Sequence, residues 1–201
     1  MWALPAVPKR PYRRAAATKA HVLDVAARLF YRHGIRAVGI DRLAADAQVT
    51  TATLYRIFGS KEGLVAAYLR QADETWTGWL ERTTSAGGLA QFFDELDEQA
   101  CAADYRGCPF RLALAEYPSA KSEVHRIAIE SKRRTRQSFR DLAAGEGARD
   151  PDTAAEHLML VMDGICASAA ERGPTARDGA GPALARSIIG ARSRPRRASA
   201  R

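Results

Sequence analysis

The sequence predicts an all-α chain, with a three-helix N-terminal unit built on a helix-turn-helix and a larger helical unit behind it. Three observations carry this. Apolar residues recur at i, i+3, i+4 and i+7 along most of the 201 residues. No strand-type alternation is sustained anywhere. Helix-capping signals, Thr50, Ser60 and Asp150-Pro151 among them, divide the chain into helical lengths.

Residues 1–17 hold three prolines and the basic set Lys9, Arg10, Arg13 and Arg14, and read as a flexible basic arm. The first strong helix starts near Thr18. Its stripe is Val22, Val25, Ala26, Leu29 and Phe30, and Gly34 closes it. A short helix over 40–46 carries Ile40, Leu43 and Ala44. A third over 51–57 has Thr50 as its N-cap and Gly59 at its end. Ser60 caps a longer fourth helix bearing Leu64, Val65, Tyr68, Leu69 and Trp76. Ser85-Ala86-Gly87-Gly88 breaks the pattern, and Leu89, Phe92, Phe93 and Leu96 restart it. Further helices are expected from Cys108 to Glu116, over 121–144, after Asp150-Pro151, and over 183–191, with a Gly/Pro-rich loop at 173–182. The domain reading is an arm (1–17), a head (18–70), a C-terminal helical domain (71–191) and a disordered basic tail (192–201) with five arginines.

Composition narrows the function. No apolar run approaches the roughly 20 residues of a membrane span, and Met1–Pro8 is too short and proline-broken for a signal peptide, so the expected location is cytoplasmic. Three cysteines without a CxxC pair and four scattered histidines support neither a disulfide framework nor a metal site, and no cofactor is expected. The net charge of +8 is unevenly placed. Residues 1–70 carry twelve Lys/Arg against four acids, whereas residues 71–185 carry thirteen against nineteen. A basic N-terminal third on an acidic body is the layout of a DNA-binding head, although basic tails also serve solubility alone.

The informative stretch is 39–58, Gly39 to Phe58. Two short helices joined by about three residues make a helix-turn-helix. Small Ala44 and Ala47 allow the helices to cross closely, and Val49 and Leu54 pack beneath the crossing. Thr51, Ala52, Tyr55 and Arg56 are left on the outer face, which would enter the major groove. Arg56 suits guanine edges or phosphates. Thr51 and Thr53 suit phosphates, small Ala52 leaves room for base edges, and Tyr55 offers a phenol to the backbone. Lys61, at the start of the next helix, adds its charge to free N–H groups that favour anions. The candidate DNA-contacting set is Thr50, Thr51, Ala52, Thr53, Tyr55, Arg56 and Lys61, with Arg13 and Arg14 from the arm. That arm is a minor-groove reader, a phosphate anchor or a tail without contacts. A plain helical hairpin with a solvated polar face would show much of the same pattern.

The stretch from Thr18 to Leu69 closely resembles the DNA-binding domain of the tetracycline-repressor (TetR) family. The matching residues are Ala26-Ala27-Arg28-Leu29-Phe30, Gly34, Leu43-Ala44, Ala47, Val49 and the string Thr53-Leu54-Tyr55-x-x-Phe58-x-Ser60-Lys61-Glu62-x-Leu64. Beyond it the likeness is in length, helical character and Asp163-Gly164 in the late capped helix. The resemblance implies that Tyr55 and Lys61 hold phosphates and that helix 51–57 reads bases. It also implies a homodimer on a palindromic operator, and a C-terminal ligand-binding and dimerisation domain through which a small molecule releases a repressor. Two positions depart from the pattern. Val38-Gly39 replaces the family's Thr or Ser, removing a capping hydroxyl and a possible phosphate contact. Gln48 replaces a turn glycine, and a left-handed conformation there would cost roughly 1 kcal/mol.

In the C-terminal part, Trp76, Trp79, Phe92, Phe93, Tyr105, Phe110, Tyr117, Met159 and Met162 are candidates to line a pocket for an apolar or aromatic effector, or they are plain core. Leu158, Met162, Ile165, Ala169 and Ile188 are candidates for the dimer interface, with intrachain core as the alternative. Cys101 and Cys108 are either redox-sensitive or inert. Two rival functions remain: a DNA-binding regulator or architectural protein needing no ligand, and an all-α enzyme. The enzyme is disfavoured, since the sequence has no nucleophile–base set, phosphate loop or metal spacing.

Overall fold

The computed structural model describes residues 10–102, 105–172 and 179–190. They form eight helices and no strand: α1 (Arg10–His33), α2 (Ile40–Asp46), α3 (Thr51–Phe58), α4 (Lys61–Ala100), α5 (Pro109–Glu116), α6 (Glu123–Gly145), α7 (Pro151–Arg172) and α8 (Ala180–Ile189). No helix among the described residues is long and apolar enough to cross a membrane. The chain divides into two compact units, Met1–Arg70 and Gln71–Arg201.

In the first unit, the predicted stripe of α1 faces inward: Val22, Val25, Ala26 and Phe30 are buried with Leu43 of α2, Leu54 of α3 and Leu64 and Leu69 of α4. Phe30 meets Tyr68 with ring centroids 5.6 Å apart. The start of α1 differs from expectation. The helix begins at Arg10, not near Thr18, so residues 10–17 are helical instead of forming an arm. Proline at Pro11 is tolerated in a first turn, where its missing N–H has no helical partner, and Ala15, Ala16 and Ala17 are the strongest helix formers. Residues 1–9 and the tail 192–201 lie outside the described residues.

The α2–α3 turn is a Schellman motif. Gln48 N–H donates to the Ala45 carbonyl and Val49 N–H to that of Ala44, at 3.0 and 2.9 Å. The motif needs a left-handed residue, and Gln48 supplies it at φ 53°, the one non-glycine with positive φ among the described residues. Gln48 is exposed, so trimming its side chain removes no packing. Gln48→Gly is therefore expected to raise stability by a few tenths to about 1 kcal/mol, the relieved strain being partly offset by a more flexible unfolded chain. Urea denaturation would show the midpoint rising at unchanged slope.

In the second unit, α4 is interrupted at the predicted break: it bends there into two helical halves, with Gly87 at φ −156°, ψ 22° and Gly88 at φ 70°, ψ −164°, both non-helical. The Gly88 conformation is open essentially to glycine alone. Beyond the bend, Leu89 N–H donates to the Glu146 carboxylate at 2.8 Å, so a side chain from the α6–α7 turn caps the second half of α4. A Cβ on Gly88 would lie 2.6 Å from that carboxylate. Asp150 caps α7 as expected. It accepts from Thr153 N–H at 3.1 Å and from the Thr153 hydroxyl at 2.7 Å, and these bonds hold its carboxyl below the usual carboxylate range. The last helix starts at Ala180, three residues before the predicted position, with Pro182 inside its first turn. Residues 173–178 of the expected loop lie outside the described residues.

Candidate nucleic-acid interface

Capping at both ends fixes the pose of α3. Thr53 N–H donates to Thr50 Oγ1 at 3.1 Å, and the two hydroxyls lie 2.9 Å apart. Gly59 ends the helix at φ 76°. Leu54 points inward and is buried, whereas Ala52, Tyr55 and Arg56 face outward. Tyr55 is 49% exposed, a large ring that the fold itself does not use. Thr51 is half-buried at the helix start, and Thr53 is half-buried and engaged with Thr50.

The next helix begins at once. Ser60 Oγ accepts from Gly63 N–H at 2.9 Å, capping α4. Lys61 extends its ammonium back to the Arg36 carbonyl at 3.2 Å, which ties the start of α4 to the loop after α1. Tyr55, Arg56 and Lys61 are thus carried by the consecutive elements α3 and α4. Sequence reasoning missed one residue here. A Cβ on Gly63 would stand 2.2 Å from the Phe58 carbonyl oxygen, so the tight α3–α4 junction requires glycine. The absence of a side chain between Glu62 and Leu64 was the only available signal.

Two expectations near α2 are answered. Val38 is fully buried and unavailable to a phosphate. Gly39 is the N-cap of α2, in extended conformation, without a side-chain capping bond. Arg13 and Arg14 stand in the first turns of α1, on helix and not on a free arm; their side chains lie outside the described residues.

The predicted pocket residues mostly come together as packed core. Trp79, Phe92, Phe93, Met159 and Met162 are buried in one cluster, and Trp76 and Tyr105 pack against it. Phe92 is central. Its ring centroid lies 4.9 Å from Trp79, 5.1 Å from Phe93, 5.4 Å from Phe139 and 5.8 Å from Trp76. Trp76 Nε1–H donates to Thr135 Oγ1 at 2.9 Å. Phe110 is buried on α5, and Tyr117 follows that helix, its carbonyl 2.8 Å from His125 Nδ1.

Of the predicted dimer residues, Leu158 and Met162 take the intrachain-core alternative: they are buried within their own chain, at 0% and 2% exposure. Ala169 also packs against that core. The outward side of α7 is instead His157, Leu160, Gly164 and Ala167, spaced 3, 4 and 3 residues apart. Leu160 is 69% exposed, and Leu184 of α8 is 54% exposed. Together these helices form an apolar groove of about 520 Å³, to which Ile165 and Ile188 of the predicted set contribute. Its floor depends on Gly181, where a Cβ would stand 2.3 Å from Ile165 Cγ1. Helix α7 is apolar on most of its circumference, so periodicity cannot say which stripe is core and which is interface.

A capped short helix with an exposed polar-aromatic face, set across a Schellman turn in an all-helical chain, defines a helix-turn-helix protein. Residues 22–68 match the model of the bacterial regulatory proteins of the tetR family. Over most of its length the chain is similar to SCO4454, a TetR-family transcriptional regulator from Streptomyces coelicolor. They are 31% identical with a TM-score of 0.81, covering 87% of this chain and 95% of that one. The chain belongs to the TetR family. The fold is shared with a TetR-family transcriptional regulator from Cytophaga hutchinsonii, at TM-score 0.76 and 16% identity, over 90% of this chain and 98% of the other. Over 59 residues the chain is 39% identical to the HTH-type transcriptional repressor SCO4008 of Streptomyces coelicolor, a match spanning 29% of this chain and 31% of that protein's length.

Proposed function

We propose that the protein is a cytoplasmic, homodimeric transcriptional repressor that binds a palindromic operator and leaves it when an apolar or aromatic small molecule binds the C-terminal helices. The observation that carries the DNA-binding part is the outer face of α3. Tyr55 and Arg56 project to solvent from a helix held by caps at both ends, and the capped, lysine-bearing start of α4 follows directly. In a docked complex, Ala52 and Arg56 read base edges, and Tyr55, Lys61, Thr51 and the Thr50–Thr53 pair contact phosphates. Family membership and the likeness to a repressor support the regulatory part.

The α7–α8 groove, with exposed Leu160 and Leu184, is the face for the second copy. Two recognition helices related by a two-fold axis would then lie about 34–36 Å apart, or a multiple of that. The tight ring packing around Phe92 favours a second reading, a DNA-binding regulator that needs no effector.

Fluorescence anisotropy with the DNA upstream of the protein's own gene tests the docking. A specificity ratio of about 10³ or more over scrambled DNA is expected. The double variant Tyr55→Phe, Lys61→Ala should weaken specific binding by about 10- to 100-fold and lower the salt dependence by about one counterion. A melting curve run beside it separates the DNA effect from the lost Lys61–Arg36 bond. Unchanged affinity in the double variant would discard this docking.

A further inference from the structure

The second unit holds a thiol pair that DNA binding does not use. Cys166 is a buried residue of α7, 5% exposed, and Cys108 is half-buried at the N-cap of α5, where its side chain makes no capping bond. The segment leading to Cys108 runs close to Cys166. Gly107, at φ 100°, lies so close to α7 that a Cβ on it would stand 3.8 Å from the Cys166 carbonyl oxygen. A hydrogen bond from the Tyr105 side chain favours the Cys166 thiolate, which partly offsets the effect of burial. Cys108 and Tyr105 both pack against the core cluster that contains Cys166.

We propose that Cys108 and Cys166 form an oxidisable dithiol site, converted by hydroperoxides into a disulfide that staples the segment before α5 to α7. Cys108 is the accessible thiol and reacts first. Its sulfur attacks the peroxide O–O bond, giving a sulfenic acid, and the Cys108 proton leaves with the departing hydroxide as water. The sulfur of Cys166 then attacks the Cys108 sulfur, the S–O bond breaks, and the Cys166 proton joins that hydroxide as a second water. Two thiols lose two electrons in total, and one peroxide takes them up. Burial pushes the Cys166 thiol up to about 11, so little of it is thiolate near neutral pH and the resolving attack is the slow step. Residues 105–108 are outside regular helix, so the backbone there is free to move toward the Cα span of about 4.4–6.8 Å that a disulfide requires.

The α7 residues next to Cys166, Gly164 and Ile165, line the groove proposed for the second copy. Oxidation should therefore alter DNA affinity, a consequence that rests on the regulator reading. The site itself does not. Trypsin places Cys101, Cys108 and Cys166 on three different peptides, since arginines stand at 82, 106, 111, 149 and 172. The full-length protein, reduced and then treated with hydrogen peroxide, is digested without reductant and mapped by mass spectrometry. The expected product is a linked pair of the Cys108 and Cys166 peptides, lost on adding dithiothreitol and formed equally by Cys101→Ser. A disulfide containing Cys101, a link between two chains, or sulfinic acid without any disulfide would overturn the proposal. In a parallel DNA titration, oxidised protein should differ from reduced by about 5- to 150-fold, reversibly, with no difference in Cys166→Ser. An intact Cys108–Cys166 link with unchanged affinity for an operator that the reduced protein binds would overturn the regulatory consequence alone.

Discussion

Replacing both Leu160 and Leu184 with glutamate is expected to turn the protein into a monomer. The two side chains are 69% and 54% exposed, so the isolated chain loses almost no packing and should remain folded. Across a two-fold axis the same patch meets itself, and the double variant brings four carboxylates into one apolar groove. Each unpaired charge forced out of water there costs several kcal/mol, and the like charges repel one another. Light scattering coupled to gel filtration would report one chain in place of two. DNA affinity should fall by about 10²–10⁴, because each half-site would then be bound without the effective concentration supplied by its partner. A variant that stays dimeric with full DNA affinity would place the interface elsewhere.

Phe92→Ala should be the most damaging single change to stability. Phe92 is fully buried and meets four other rings at centroid distances of 4.9–5.8 Å. Truncation removes the transfer energy of the ring and leaves a cavity that its rigid neighbours cannot close, for a loss of about 3–5 kcal/mol. In a chain of this size that lowers the melting temperature by about 10 °C. The same experiment separates core from pocket. A cost below about 1 kcal/mol would mean that the ring already borders open space, as a wall of an effector site would.

Legibility in the sequence followed local chemistry. The bounds of α3 and the start of α4 were readable because Thr50, Gly59 and Ser60 act on backbone groups within a few residues. Gln48 was identifiable as a left-handed turn residue from the family resemblance, which has glycine there, and its φ of 53° agrees. One mistake occurred twice. Pro11 and Pro182 were read as loop residues, yet each sits in the first turn of a helix, where proline costs nothing. Features set by distant contacts stayed hidden. Periodicity left Leu158 and Met162 open to either core or interface; the folded unit uses that stripe for its own core and leaves Leu160 outside. The candidate DNA face was legible because its residues are consecutive. The proposed pairing of Cys108 with Cys166 could not be read from the sequence, where the two stand 58 residues apart.

The bend in α4 bears on how this protein can be taken apart. Gly87 and Gly88 permit the bend, but the carboxylate that caps the restarted helix belongs to Glu146, 57 residues downstream of Leu89. The local sequence allows the shape without specifying it. A fragment ending within α5, or a chimaera that borrows α4 without the α6–α7 turn, would carry both glycines and lack the cap. Its second half would begin with an unsatisfied amide at a glycine pair free to sample other angles. The second unit is therefore a single exchangeable module from Gln71 onward, and recombination points for hybrid regulators belong outside it.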